Sequence, residues 1–145
     1  MNKPPFQANP RRPRLLRLNE GRQQEAPDGF RRVVVFGPPG AGKTSYVTEH
    51  ARPGSLRWDY DYVLSSLTGL PVHSYDDRLI SLLRSIRETF LEWVVKTRPA
   101  SDVWVIVTLE IKARRIASLL GGELIEILPD HRAVVVDWRK TAHPD

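Results

Sequence analysis

The sequence predicts an α/β fold, in which a mainly parallel sheet carries helices on both faces and forms three layers. Short apolar segments rich in β-branched residues alternate with segments of helical periodicity, a pattern typical of parallel sheets. The first apolar segment, residues 33–36, leads directly into a glycine-rich loop that opens a helix. With 145 residues and 41% hydrophobic content, the chain can form one packed domain.

The first four predicted elements follow from local signals. Residues 33–36 read Val-Val-Val-Phe and predict a strand that is buried on both faces, because no polar residue interrupts the run. Residues 43–51 predict a helix, which the following Pro-Gly pair ends. We expect a short second strand over residues 55–58 and a helical turn over residues 62–67.

The second half of the chain repeats this alternation. Residues 76–96 carry apolar side chains in a helical stripe with polar residues between them. Residues 103–107 are the clearest later strand, and residues 112–120 predict a helix that ends at a pair of glycines. A further strand is expected over residues 124–128. The last segment, residues 133–140, is compatible with either a strand or a helix.

The N-terminal residues 1–29 differ from this pattern and predict a disordered, basic arm. The arm contains Pro4, Pro5, Pro10, Pro13, Pro27, Arg11, Arg12, Arg14, Arg17 and Arg22. It has too few apolar residues to offset the entropy lost on ordering. Two interpretations stay open, a solvated tail and an arm that contacts nucleic-acid phosphates. Residues 30–145 are then the folded domain.

Composition limits the classes of function. The chain has no cysteine, which excludes disulfides and thiolate metal sites. No apolar run reaches the roughly 18 residues of a membrane span, and the N-terminus lacks the apolar core of a secretory signal. We therefore expect a soluble, cytoplasmic protein without a membrane partner. The net charge of +5 favours polyanionic partners such as nucleotides or nucleic acid, although ordinary solubility also explains it.

One motif carries the chemistry. The residues Gly37-Pro38-Pro39-Gly40-Ala41-Gly42-Lys43-Thr44 match G-x-x-x-x-G-K-[ST], the P-loop. Glycines let backbone N–H groups approach phosphate oxygens, and the following helix adds its positive dipole end. Lys43 supplies a cation for the β- and γ-phosphates, and Thr44 a hydroxyl ligand for Mg²⁺. A Gly-Pro turn with an incidental lysine explains neither the Lys-Thr pair nor the strand-to-helix context.

The motif in this context indicates a P-loop NTPase fold that binds ATP with Mg²⁺. The residues expected to contact the nucleotide are Gly37, Pro38, Pro39, Gly40, Ala41, Gly42, Lys43, Thr44 and Ser45. Phosphoryl transfer also needs an acid that orients the metal, a group that positions the nucleophile and a cation for the transition state.

Two acids follow the second predicted strand, at the end where ligands bind in open parallel sheets. We expect Asp61 to act as the catalytic base or to bind the acceptor hydroxyl. Asp59 is the expected partner of the metal or of its water. The alternative is that both aspartates only cap the following turn. A Walker-B-like acid should end another strand, and both Glu110 and Asp137 are candidates.

For the transition-state cation we expect Arg114, with Arg115 and Arg132 as further candidates. Each of these arginines could instead belong to a solvated surface. The four histidines show no metal-ligand spacing, and none is expected to bind a metal. The four tryptophans are interpreted as core residues, with base stacking as the alternative.

Residues 33–61 resemble small P-loop kinase-like ATPases of bacteriophages, which are similar to the kinase module of polynucleotide kinases. The resemblance rests on residues 33–47, which include the P-loop, and on Leu56-Arg57-Trp58-Asp59-Tyr60-Asp61, and it continues through residues 103–108, Arg114 and residues 121–128. It implies transfer of the γ-phosphate of ATP to a hydroxyl, such as a nucleic-acid 5′ end. Asp61 then occupies the position of the hydroxyl-activating aspartate.

Two positions depart from that family. Leu64 stands where the family has an arginine three residues after the aspartate, and the arginine-bearing lid after the fourth strand is shortened to residues 129–132. The leading hypothesis is an ATP-dependent phosphotransferase that acts on a nucleotide or a nucleic acid, in the host cytoplasm if the chain is phage-encoded. The alternatives are an ATPase or nucleotide-dependent switch in phage DNA handling, and a nucleotide-binding module with little turnover.

Overall fold

A computed structural model describes residues 26–74 and 76–140, so most of the predicted basic arm lies outside the described residues. The strands are β1 (Arg32–Phe36), β2 (Leu56–Asp59), β3 (Val103–Val107), β4 (Glu123–Ile127) and β5 (Ala133–Val136). The helices are α1 (Lys43–His50), α2 (Tyr60–Thr68), α3 (Ile80–Thr97) and α4 (Glu110–Leu120), with a 3₁₀ turn (Asp77–Leu79) leading into α3.

The five strands form one mostly parallel sheet in the order β2-β3-β1-β4-β5. The first four are mutually parallel, whereas β5 runs antiparallel to β4. This confirms the predicted α/β class and its mainly parallel sheet. The ambiguous segment after residue 132 begins with a strand, and its direction follows from the connection. Only residues 128–132 separate β4 from β5, too few for the crossover that a parallel neighbour requires.

Helices cover both faces of the sheet, which gives the three layers that the sequence predicts. Among the described residues, α1 is the helix that covers one face of the sheet. Its Val47 packs with Val33, Val35 and Ile106. The opposite face carries α2, α3 and α4 and the larger core. That core includes Val34, Phe36, Trp58, Leu64, Leu83, Leu91, Val105, Ala113, Ile116 and Leu120. The strand β1 is buried along its whole length between the two layers.

Two helices begin earlier than the sequence predicts. The expected turn over residues 62–67 is a nine-residue helix, α2, because the Asp59 carboxylate accepts the Asp61 N–H at its start. The helix α4 begins at Glu110, two residues earlier than expected, and ends as predicted at Gly121, which adopts the left-handed conformation. No helix among the described residues is both long and apolar enough to cross a bilayer.

Asp102 holds three segments together at the amino ends of the parallel strands. Its buried carboxylate accepts hydrogen bonds from the backbone N–H of Arg31, at 2.8 Å, and from Arg52 Nε and Nη2, at 2.7 and 2.8 Å. The hydrogen bonds from Arg52 hold the pKa of Asp102 below its ordinary value, against the opposing effect of burial. A depressed pKa means that the ionised carboxylate stabilises the folded state.

We expect Asp102→Asn to lower the free energy of unfolding by about 1–3 kcal/mol at pH 7, since a charged acceptor of three hydrogen bonds is lost. This difference should be present above the unfolded-state pKa of about 3.9 and should vanish as the pH falls through the lower folded-state pKa. Urea unfolding of both proteins from pH 7 to pH 2 measures it. Glu49→Gln, at an exposed acid of α1, is the control. Equal urea midpoints at pH 7 would contradict the assignment.

Candidate functional site

The carboxyl edge of the sheet contains a crevice at the point where the chain reverses its direction of travel. From β1 the chain passes through α1 toward β2, and from the adjacent β3 it passes through α4 toward β4. The helices α1 and α4 lie on opposite faces of the sheet, so their N-termini flank the ends of β1 and β3. Ligands of open α/β sheets bind at such a switch point.

The loop of residues 37–42 lies at this crevice, and its glycines are required by its geometry. Gly40 and Gly42 adopt positive φ angles of 81° and 100°, which disfavour side chains. Gly37 lies against β4, where an added Cβ would collide with the carbonyl oxygen of Ile127. The loop therefore has a conformation that glycine permits and most other residues do not.

The N-terminus of α1 is open to an anion. Its N-cap, Gly42, has no side chain to occupy the first amides, and the first turn contains no acidic residue. Lys43 Nζ donates hydrogen bonds to the carbonyl oxygens of Gly37 and Pro38, at 2.8 and 2.9 Å. Burial lowers the pKa of Lys43, against the opposing effects of Asp61 and Asp59. A lysine cation and free helix amides thus meet at one place.

Thr44 and Asp59 form a direct link between the loop and β2. The Thr44 hydroxyl donates to Asp59 Oδ2 at 2.7 Å, and Asp59 is only 8% exposed. The other carboxylate oxygen, Oδ1, accepts the Asp61 N–H at 3.1 Å. Asp59 therefore caps α2, as the alternative interpretation predicts, and it also contacts the threonine of the glycine-loop motif.

Asp61 lies in the first turn of α2 and is more accessible than Asp59. Its side chain is 41% exposed, and Oδ2 lies 3.1 Å from Nδ1 of His73. Electrostatic interaction of Asp61 and Asp59 with Lys43 shows that both carboxylates lie near the ammonium. The structure thus brings together four predicted site residues, Lys43, Thr44, Asp59 and Asp61.

The remaining acids and arginines are distributed differently. Glu110 begins α4 at the carboxyl edge, and its Oε2 accepts a hydrogen bond from Arg114 Nε at 2.9 Å. Asp137 is excluded as a Walker-B acid, because β5 is antiparallel and its end pairs with the beginning of β4. Asp137 therefore lies at the opposite edge of the sheet. Arg115 bonds Glu88 on α3 at 3.1 Å, and Arg132 bonds Asp130 at 2.8 Å.

The short β4–β5 connection, residues 128–132, contacts the glycine loop. His131 Nδ1 donates a hydrogen bond to the carbonyl oxygen of Ala41 at 2.7 Å, and it lies 3.4 Å from the position of a Cβ at Gly42. His131 has a positive φ of 73°. Sequence reasoning missed this contact because it examined histidines only for metal-ligand spacing, and nothing local indicates a neighbour 90 residues away.

A cavity of about 320 Å³ opens beside Thr44 and Asp59, between α1 and α2. Its lining is mostly apolar, and Arg57, Tyr62 and Ser66 are its exposed members. This volume lies within the range of small-molecule sites, roughly 300–1,000 Å³. The cavity is therefore large enough for a small ligand beside the Thr44–Asp59 pair.

Comparison with known proteins finds no match. No family model, no curated protein and no solved structure is similar to this chain. What the site binds is therefore inferred from the residues at the carboxyl edge of the sheet.

The position that follows Asp61 by three residues, Leu64, is 3% exposed and packs in the core below α2. An arginine at this position of α2 would have to extend into that core, so the departure at Leu64 suits the packing of this chain.

We expect Gly37→Ala to destabilise the fold by about 1–3 kcal/mol, the usual effect of overpacking a close contact. The added Cβ meets a backbone carbonyl, that of Ile127, which cannot move aside as a flexible side chain can. Thermal unfolding measures the loss. Gly37 does not have a positive φ, so the strain of a left-handed backbone does not add to this effect. If Gly37→Ala unfolds at the same temperature as the original chain, the collision with β4 has no effect.

Proposed function

We propose that this chain is a P-loop phosphotransferase, which binds ATP with Mg²⁺ and transfers its γ-phosphate to a hydroxyl of a nucleotide or nucleic acid. The observation that carries the proposal is the convergence of Lys43, Thr44, Asp59 and Asp61 at the carboxyl ends of β1 and β2. The fold proposed is that of the P-loop NTPases, in the kinase-like group that residues 33–61 resemble.

The loop has the features required to hold phosphates. Three glycines keep side chains out of the cradle, since a Cβ at Gly37 would collide with β4 and Gly40 and Gly42 have positive φ. Lys43 Nζ donates to two carbonyl oxygens of the loop, and phosphate oxygens are stronger acceptors for the same ammonium. The uncapped N-terminus of α1 supplies further donors.

Thr44 and Asp59 fit a magnesium ion by their chemistry. The described residues contain no group of three or more His, Cys, Asp or Glu side chains that could hold a metal. Magnesium needs no such group, because it binds proteins through one or two oxygen ligands together with waters and substrate phosphates. The Thr44 hydroxyl and the Asp59 carboxylate, already in contact, would be those ligands. When bound, the ion would neutralise charge on the phosphates.

Asp61 is the residue that we propose acts on the acceptor. Its carboxylate is partly exposed and lies near Lys43, while Asp59 is committed to Thr44 and to the cap of α2. Asp61 would accept the proton of the acceptor hydroxyl as that oxygen attacks phosphorus. The neighbouring cavity, with Tyr62 and Arg57 at its exposed side, would receive the acceptor.

One observation favours ATP hydrolysis as the second candidate function. Only the five residues 128–132 follow β4 before β5 returns, so this connection contains no lid helix. A lid excludes water from the transferred phosphoryl group, and an open site gives water access to it. Arg114 is the candidate cation for the transition state, and it would have to leave Glu110 to reach the phosphates.

The decisive experiment incubates the protein with Mg²⁺, γ-labelled ATP and a 5′-hydroxyl oligonucleotide or a nucleoside. Label on the acceptor supports the phosphotransferase, whereas free labelled phosphate alone supports the ATPase. Nucleotide binding without either product identifies a binding module with little turnover. The proposal fails entirely if calorimetry with Mg-ATP and Mg-GTP shows no binding.

A further inference from the structure

A cluster of basic side chains joins α3 to α4 on the face of the sheet opposite α1. Arg84, Arg87 and Glu88 have spacings of three and four residues on α3, which places them on one side of the helix. Lys112 and Arg115 are likewise three residues apart on α4. Arg115 Nη2 bonds Glu88 Oε2 at 3.1 Å and so brings the two sets together.

The basic cluster, defined as Arg84, Arg87, Lys112 and Arg115, places four cations close to Glu88. Glu88 lies at ion-pair distance from Arg87 and Arg115, and the cluster members interact electrostatically with one another. Residues 30–145 contain 16 Lys and Arg against 14 Asp and Glu. Without the four cluster cations the domain would have 12 basic against 14 acidic groups, so the cluster accounts for its excess of positive charge.

Arg87 occupies the inner side of the cluster and has unused hydrogen-bonding capacity. Its side chain is only 11% exposed, and its buried Nε makes no hydrogen bond. The nearby Glu88 Oε2 lies 3.6 Å from this nitrogen, at ion-pair distance but beyond hydrogen-bond distance. A buried donor without an acceptor is unfavourable, and an anion that supplied one would stabilise it.

Repulsion among the four cations of the cluster also favours a bound anion. Burial lowers the pKa of Lys112, and the nearby Arg87, Arg84 and Arg115 lower it further. Burial also lowers the pKa of Arg87, with Arg115 and Arg84 acting in the same direction. The packing of α3 on α4 holds the four cations close together, and each disfavours the charged form of its neighbours. A bound anion would relieve this repulsion.

The cluster lies near the carboxyl edge of the sheet. The helix α4 begins three residues after β3 ends, and Lys112 is in its first turn. Arg115 lies less than one turn further along the helix, about 4.5 Å at 1.5 Å per residue. The cluster thus extends from the rim of the crevice down the outer face of α3 and α4, on the other side of the sheet from the Lys43 helix.

We propose that the basic cluster is a second phosphate-binding site, separate from the glycine loop, that holds a backbone phosphodiester of single-stranded nucleic acid. Three of its four cations are arginines, whose planar guanidinium groups bind phosphate oxygens in pairs. Such contacts position a strand without reading its sequence. The site needs no ATP, so the proposal stands independently of whether residues 37–44 bind a nucleotide.

The test measures fluorescence anisotropy of a labelled oligothymidine of about twelve nucleotides, a length typical of single-strand sites, with the full-length protein and without ATP. The variant is Arg84→Gln with Lys112→Gln, which removes one cation from each helix. Its matched control, Arg139→Gln with Lys140→Gln, removes two positive charges after β5, at the opposite edge of the sheet. Thermal unfolding confirms that each protein remains folded.

We expect the cluster variant to bind at least tenfold more weakly and the control to bind within about twofold of the original chain. Loss of two phosphate contacts should also reduce the slope of log affinity against log salt by about 1.4 for a single strand. Equal losses in the two variants would overturn the proposal. So would displacement of the strand by millimolar inorganic phosphate at constant ionic strength, since the site would then be one for the free ion.

Arg87→Lys provides a second measurement that preserves the charge. It retains a cation in the buried position but removes the guanidinium pairing, so affinity for the strand should fall severalfold while the salt dependence is nearly unchanged. Unaltered affinity in Arg87→Lys, together with unaltered affinity in the double variant, would show that α3 and α4 carry no phosphate site.

Discussion

Lys43→Ala is expected to lower the affinity for Mg-ATP at least 100-fold, equivalent to about 2.7 kcal/mol, and to abolish both phosphate transfer and hydrolysis. Lys43 is the basic side chain of the glycine loop, and its ammonium is half-buried between that loop and the carboxylates of Asp59 and Asp61. Without it, the backbone N–H groups and the proposed Mg²⁺ would have to hold a triphosphate whose negative charge lies near those two acids.

Isothermal calorimetry with Mg-ATP measures the loss, and thermal unfolding without nucleotide tests whether the fold is retained. Removing Lys43 breaks its hydrogen bonds to the Gly37 and Pro38 carbonyl oxygens, which are near solvent, so the stability of the free protein should change by less than about 1 kcal/mol. Lys140→Ala, at an exposed lysine after β5, is the control and should bind normally. Binding by Lys43→Ala within threefold of the original affinity would remove the glycine loop from the proposed function.

The sequence was sufficient for the parts of the fold that local patterns determine. Residues 33–36 and 103–107 are continuous apolar runs, and both are central strands buried on both faces. The long helix α3 follows from its apolar stripe, and Gly121 ends α4 through its left-handed conformation. In each case the residues that specify the element lie within the element or directly beside it.

The last strand could not be predicted, because its pairing is decided outside its own segment. The residues of β5, Ala133–Val136, are mostly exposed, so they show neither the buried run of a central strand nor a clear helical stripe. Their direction is set by the short connection to β4 and by register, with Val136 opposite Leu124. This antiparallel return is what places Asp137 at the wrong edge of the sheet for a metal-orienting acid.

The site shows the same division between local and tertiary information. The glycine loop with Lys43 and Thr44 is readable because the motif is contiguous. The pairing of Thr44 with Asp59 required the order of β1, β3 and β2, which no local pattern gives. The contact of His131 with Ala41 and the basic cluster between α3 and α4 depend on residues far apart in the chain, and composition reveals only that positive charge is present.

Asp61→Asn should distinguish the function of Asp61 from that of Asp59. The substitution keeps the size of the side chain and an oxygen that can accept a hydrogen bond from His73, but it removes the carboxylate that we propose as the base. We expect the rate of transfer to an acceptor hydroxyl to fall by about 10²–10⁴-fold, the usual contribution of a general base, while affinity for Mg-ATP stays within about threefold. Because Asp61 is partly exposed and α2 is capped by Asp59, stability should be nearly unchanged.

The informative comparison is with Asp59→Asn, which alters the carboxylate bonded to Thr44. If Asp59 orients the metal, its variant should need a higher Mg²⁺ concentration for half-maximal transfer, whereas Asp61→Asn should keep the original Mg²⁺ dependence and lose the rate at every concentration. Transfer of γ-label to a 5′-hydroxyl oligonucleotide, measured across a Mg²⁺ titration, distinguishes the two. Asp130→Asn, at an exposed acid of the β4–β5 connection, should behave as the original chain. Full transfer by Asp61→Asn at saturating Mg²⁺ would assign the proton to another acceptor and leave Asp61 as a surface residue of α2.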